Sequence, residues 1–129
     1  MQLNEIMAGA EDHERGRWAE LTDPVTGQGT GIRLRLAGPD SATARKARLH
    51  MADDLVESAD LDGRVMAEAR EKARLDMLAR LVLGWEVQED GQPVPFNHAN
   101  VLRLLRAASW VEEQIDLMAA DRAAFRGVV

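Results

Sequence analysis

A mainly α-helical domain with one β-hairpin near its N-terminus is the fold this sequence predicts, and three observations carry that expectation. Alanine and arginine, both strong helix formers, are abundant. From about residue 42 onward, apolar residues recur at spacings of three and four, the period of a helix with one buried face. Only around Arg17–Leu21 and Gly31–Leu36 do polar and apolar residues alternate with period two, and the Pro- and Gly-rich stretch TDPVTGQGT lies between these runs. The expected architecture is a small four-helix body over residues 40–126 with a hairpin element at 16–38, all in one domain, 1–129.

Residues 1–15 carry a weak apolar pattern at Leu3, Ile6, Met7 and Ala10, which fits one short, frayed helix. The hairpin follows, with Ile32, Leu34 and Leu36 on one face, Arg33 and Arg35 on the other, and a long mobile loop between its strands. A two-stranded hairpin is marginal alone, so its apolar face must pack on the helices or be completed by another chain. Gly38-Pro39-Asp40-Ser41 ends the second strand, and Asp40 or Ser41 can cap a helix over about 42–58. In that helix Ala44, Ala47, Met51 and Leu55 point inward, with Leu49 and Val56 as further candidates.

A second helix is expected from about Arg64 to Leu83, with Met66, Ala69, Ala73, Met77 or Leu78, and Leu81 as its stripe. Gly84 fits the position just past its end, where a left-handed backbone favours glycine. Trp85 then covers the core at the junction. Gln88 to Pro93 reads as a turn-rich loop, and Asn97 as the cap of a third helix at 98–107, with Phe96 stapled onto Val101. Ser109 and Glu112 form a capping-box pattern for a fourth helix over about 110–126, striped by Val111, Ile115, Met118 and Phe125 and interrupted by Arg122.

Composition narrows the function. The net charge of −6, from 22 acidic and 16 basic residues, opposes binding to nucleic acid or to an anionic membrane surface. Cysteine is absent, so neither disulfides nor thiol chemistry arise. No apolar run approaches the roughly 18 residues that span a bilayer, and the first residues lack a signal-peptide pattern. The expectation is a cytoplasmic protein.

No catalytic constellation emerges. His50 and Asp54 share a helix face at i, i+4, but no third metal ligand is indicated, and Asp12-His13-Glu14 is no better. Each reads as a solvated or hydrogen-bonded histidine, and His98 as a neutral surface or interface residue. Adjacent acids at Asp53-Asp54 and Glu112-Glu113 diverge on a helix, and no nucleophile elbow is present. Gly27, Gly29 and Gly31 lack the lysine of a phosphate loop. Arg45, Lys46 and Arg48 oppose their helix dipole, which pairing with acids elsewhere or a partner can relieve. Neither enzyme, metal nor cofactor is expected. A helix-turn-helix reading of Asn97 to Phe125 is weakened by the acidic balance, with only Arg103, Arg106 and Arg122 there and Arg126 just beyond.

The order of features from Leu81 onward resembles the tail assembly chaperones of long-tailed phages and prophages. It comprises Val82, Trp85, Glu89-Asp90-Gly91, Pro93-Val94-Pro95-Phe96-Asn97, Asn100, Leu104-Leu105, Ile115 and Phe125. The front half is similar too, through Pro24, Thr26-Gly27, Ile32 to Leu36, and Gly38, Asp40 and Ser41. The likeness covers roughly residues 16–126 and consists of turn and packing residues; Ser109 stands where those proteins often have proline. It implies a protein absent from the mature virion that coats the tape measure protein, recruits tail tube subunits and forms homo-oligomers. The partner surface is then expected on the hairpin and the flanking helices, at Ile32, Leu34, Leu36, Trp85, Val101, Leu105, Trp110, Ile115 and Met118. A structural head–tail or tail adaptor retained in the particle is the alternative.

Overall fold

The computed structural model describes residues 1–126, and its elements follow from local chemistry that tertiary pairing then trims. The chain begins with α1 (Leu3–Arg15), capped by reciprocal bonds between Gln2 and Glu5. Gly16 turns it into β1 (Arg17–Thr22), with φ of 78°. A Cβ at Gly16 would lie 2.5 Å from the Leu36 carbonyl oxygen and 2.9 Å from Leu83, so both backbone conformation and space demand glycine. The loop to β2 (Gly29–Leu36) is organised by Asp23, whose carboxylate accepts from the Val25 and Thr26 amides. The Gly27 amide donates to the Asp23 carbonyl, so the expected mobile loop is a hydrogen-bonded turn.

β1 and β2 pair antiparallel as expected, with Ala19 opposite Leu34 and Trp18 opposite Arg35. The hairpin is not left as two strands. β3 (Val82–Glu86) pairs with the free edge of β2, setting Leu34 opposite Trp85 and Arg35 opposite Gly84, so the sheet runs β1-β2-β3. The chain itself supplies the third strand that an isolated hairpin lacks.

That pairing shortens the preceding helix. α2 (Ala42–Ser58) lies where expected, with the Ser41 hydroxyl accepting from the Ala44 amide. α3 runs only from Ala67 to Arg80. Leu81 ends it, and Val82 to Glu86, extended and rich in strand-forming side chains, satisfies its backbone on β2 instead of continuing the helix. Gly84 is therefore a strand residue rather than a helix stop. Met66, Leu49 and Val56 are exposed, and the buried stripe of α3 is Ala73, Leu75, Leu78 and Ala79.

The acidic turn is a two-residue hairpin. β4 (Gln88–Glu89) and β5 (Gln92–Pro93) flank Asp90 and Gly91, both at positive φ, as a type I′ turn requires. α4 (His98–Ala107) is capped by Asn97, whose side chain accepts from the Asn100 amide. α5 (Ser109–Ala120) differs from expectation at both ends. Its cap position is Ala108, and no side chain caps it; Glu112 instead accepts from Arg74 at 3.0 Å. After Ala120 the chain turns at Asp121 into a 3-10 turn, Arg122–Phe125, which drives Phe125 into the core while Arg122 stays outside.

The result is mixed α+β: five α-helices and a small antiparallel sheet among the described residues, rather than a four-helix body with an appended hairpin. One apolar core joins the inner sheet face (Leu21, Leu34, Leu36, Val82) to Leu78, Leu105, Val111, Ile115 and Phe125. No described helix is long and apolar enough to cross a membrane.

Candidate interaction surface

The segment from Val82 to Phe96 frames a partly apolar concavity beside the sheet. Trp85 sits on β3, its indole N–H donating to the Val94 carbonyl at 2.9 Å, and the Val94 amide returns to the Val87 carbonyl. These bonds fold the Asp90-Gly91 hairpin back over the end of the sheet. Phe96 meets Trp85 edge-on, with ring centroids 5.7 Å apart, and stays largely exposed. It packs on the indole, while Val101, the expected staple partner, is buried in the core. Two adjoining hollows, of about 740 and 240 Å³, share Ile32, Trp85, Val87 and Val94 as their apolar lining, and the smaller reaches Leu104 on α4. Glu89 and Arg103 pair at the rim, at 3.2 Å.

The nine residues expected to bind a partner divide by burial. Leu34, Leu36, Val101, Leu105 and Ile115 are fully buried, so they hold the fold and present nothing to a partner. This corrects the expectation for those five: their period-two or helical spacing marks the inner face, not an outer one. Ile32 and Trp85 are half-buried and meet in the hollow just described. Trp110 and Met118 are also half-buried, but on α5, where they share a face with Gln114 at four-residue spacing. That face lies along β1: Gln114 bonds the Thr22 backbone, and Arg17 donates to the Met118 carbonyl at 3.2 Å. The two half-buried groups thus sit at opposite edges of the sheet, one against β3 and the other against β1.

Two further features lie outside the residues expected to bind a partner. Leu3, Ile6 and Met7 form an exposed apolar stripe on α1, beside a cavity of about 490 Å³ bordered by Ala10, His13 and Ala123. The second is a polar joint where α1 meets α2. His13 is buried, its Nδ1 accepting from the Asp40 amide at 2.9 Å and its ring 5.2 Å from Phe125. Glu14 accepts from the Thr43 amide at 3.0 Å and from its hydroxyl, and these bonds hold the Glu14 carboxyl below the usual carboxylate range. The neighbours Asp12, His13 and Glu14 therefore diverge and build a helix junction rather than a metal site.

Asp40 does not cap α2 by its side chain. It takes both ends of the Arg122 guanidinium, at 2.8 and 2.9 Å, and this hydrogen bonding keeps its carboxyl below the ordinary value. Arg48 donates to the Pro39 carbonyl at 3.2 Å, while Arg45 and Lys46 are exposed on the same helix. His98 is not a bare surface residue, since its Nε2 lies 2.6 Å from Asp76 Oδ1. No known protein family, curated protein or solved structure matches this chain.

Proposed function

We propose that the protein is a tail assembly chaperone of a long-tailed phage or prophage, acting by binding and not by catalysis. The observation that carries this reading is that the segment bearing the resemblance, Trp85 to Phe96, is also the segment that frames the apolar hollow of Ile32, Trp85, Val87, Val94 and Leu104. A concave apolar lining with a charged rim suits an amphipathic helix laid apolar face down, which is the chemistry a tape measure protein offers. Covering such helices keeps them from aggregating until tail tube subunits assemble around them. Self-association into a homo-oligomer belongs to the same reading, and the exposed stripe on α1 is better suited to it than the hairpin, whose outer edge α5 covers.

Co-expression with a tape measure fragment tests the proposal. Wild-type protein should keep the fragment soluble and co-purify with it, and a Trp85→Ala/Phe96→Ala variant that remains folded should lose both effects. A tape measure fragment that stays insoluble and unbound beside the wild-type protein would refute the chaperone reading. Recovery of the protein from purified virions would instead identify a structural head–tail or tail adaptor.

A further inference from the structure

Where α2, α3 and α4 converge, the fold gathers titratable side chains that lie far apart in sequence. His50 Nδ1 is 3.1 Å from Asp54 Oδ2 on the same helix and 3.6 Å from Asp76 Oδ2 on α3. The three potential ligand atoms all lie within 4.8 Å of one another. The other oxygen of Asp76 faces His98 Nε2 at the start of α4. Arg80, one turn along α3, donates to Asp76 Oδ2 at 2.9 Å, and its Nη2 lies 3.1 Å from His50 Nε2. The group opens on a cavity of about 390 Å³ that Glu57, Lys72 and Arg106 also line.

We propose that His50, Asp54 and Asp76 form a binding site for a divalent first-row transition ion of the Zn²⁺ type, with His98 orienting Asp76 from outside. The donor set is one imidazole nitrogen and two carboxylates, a mixture that zinc accepts and that hard ions such as Mg²⁺ find less suitable. Three protein ligands leave a coordination position open toward the cavity. The Asp76–His98 contact is the kind of outer bond that fixes a ligating carboxylate in place.

Arg80 is the competitor. To ligate through Nδ1, His50 must carry its proton on Nε2, and that proton cannot coexist with an arginine N–H aimed at the same nitrogen. Ion binding therefore requires the guanidinium to leave both His50 and Asp76. Its half-exposed side chain, at the last position of α3, has solvent to swing into.

Titration of tag-free protein with Zn²⁺ near pH 7.5, followed by calorimetry and by thermal unfolding, tests the site, and Mg²⁺ is the control. We expect one Zn²⁺ per chain with a raised Tm, and no response to Mg²⁺. His50→Gln and Asp54→Asn, which preserve size at accessible positions, should abolish saturable binding while leaving the circular dichroism unchanged. His98→Ala should weaken it by about tenfold or more. Arg80→Ala should tighten it, an outcome that a purely structural ion-pair network does not produce. Absence of saturable Zn²⁺ binding, equal binding by the His50 and Asp54 variants, or no gain in Arg80→Ala would each overturn the proposal. The site does not depend on the chaperone reading, and its test involves no tape measure protein.

Discussion

The side-chain amide of Gln114 pairs with the backbone of Thr22 at both ends: its Oε1 accepts from the Thr22 amide at 2.9 Å, and its Nε2 donates to the Thr22 carbonyl at 2.8 Å. A glutamine on α5 thus imitates a neighbouring strand at the outer edge of β1, where an unpaired edge would invite pairing with another chain. Gln114→Leu removes both bonds and leaves the exposed Thr22 amide and carbonyl to solvent or to another chain. The expected loss is about 1–2 kcal/mol of stability. Light scattering should also detect more concentration-dependent association than in the wild type. Unchanged stability and association would show that Gln114 does not guard the edge.

Three glycine substitutions separate backbone demand from sequence appearance. Gly16→Ala should destabilise by about 1–3 kcal/mol from backbone strain alone. Contact with the Leu36 carbonyl adds to that cost. Gly38→Ala should also be harmful, because the new Cβ would meet the buried His13 ring at 2.6 Å. Gly84→Ala should fall within about 1 kcal/mol of the wild type, since a Cβ there finds only Arg35 at 3.9 Å. Denaturant unfolding of the three variants measures this ranking. A large loss at Gly84 would restore the helix-stop reading of that residue.

Phe125 is fully buried beneath Arg17 and beside His13. Phe125→Ala should cost about 3–5 kcal/mol by chemical denaturation. A cost under about 1 kcal/mol would mean that the 3-10 turn does not close the core as described.

Acid stability should depend on Asp40. Its folded pKa is lowered by Arg122, so its contribution is complete above the ordinary aspartate value and disappears as pH falls through the lowered folded one. Asp76 acts with the same sign: burial raises its pKa, but hydrogen bonds from Arg80 and His98 outweigh that and lower it. Stability should therefore fall below about pH 4. Asp40→Asn should make that decline shallower while lowering stability at neutral pH. A variant that matches the wild-type slope would show that the Arg122 pair does not contribute.

Short-range chemistry was legible in the sequence. Ser41 and Asn97 cap helices as their positions suggest, because a cap contact spans only three residues. The alternation from Gly31 to Leu36 identified a strand with one buried face, because that pattern is carried by the strand itself. It did not say which apolar residues a partner could reach. Leu34 and Leu36 obey the same alternation as Ile32, yet only Ile32, near the open end of the sheet, escapes full burial.

The sequence alone thus determined the capped starts of α2 and α4, the hairpin and a turn at Asp90-Gly91, each governed by interactions between near neighbours. The tertiary structure decided everything that needed a distant partner. Leu81 to Trp85 fits the end of a helix about as well as a strand, and the unpaired edge of β2, some fifty residues earlier, settled the choice through backbone hydrogen bonds. Likewise His50 and Asp54 share a helix face in any reading, but Asp76 and His98 reach them only once α3 and α4 have packed on the same core. Gly84 to Phe96, which reads as a helix stop and a loop, is in the folded protein a strand, a hairpin and the frame of the apolar hollow. That difference is one of distance: capping and turn preferences act within a few residues, whereas strand pairing and burial are settled only when the chain closes on itself.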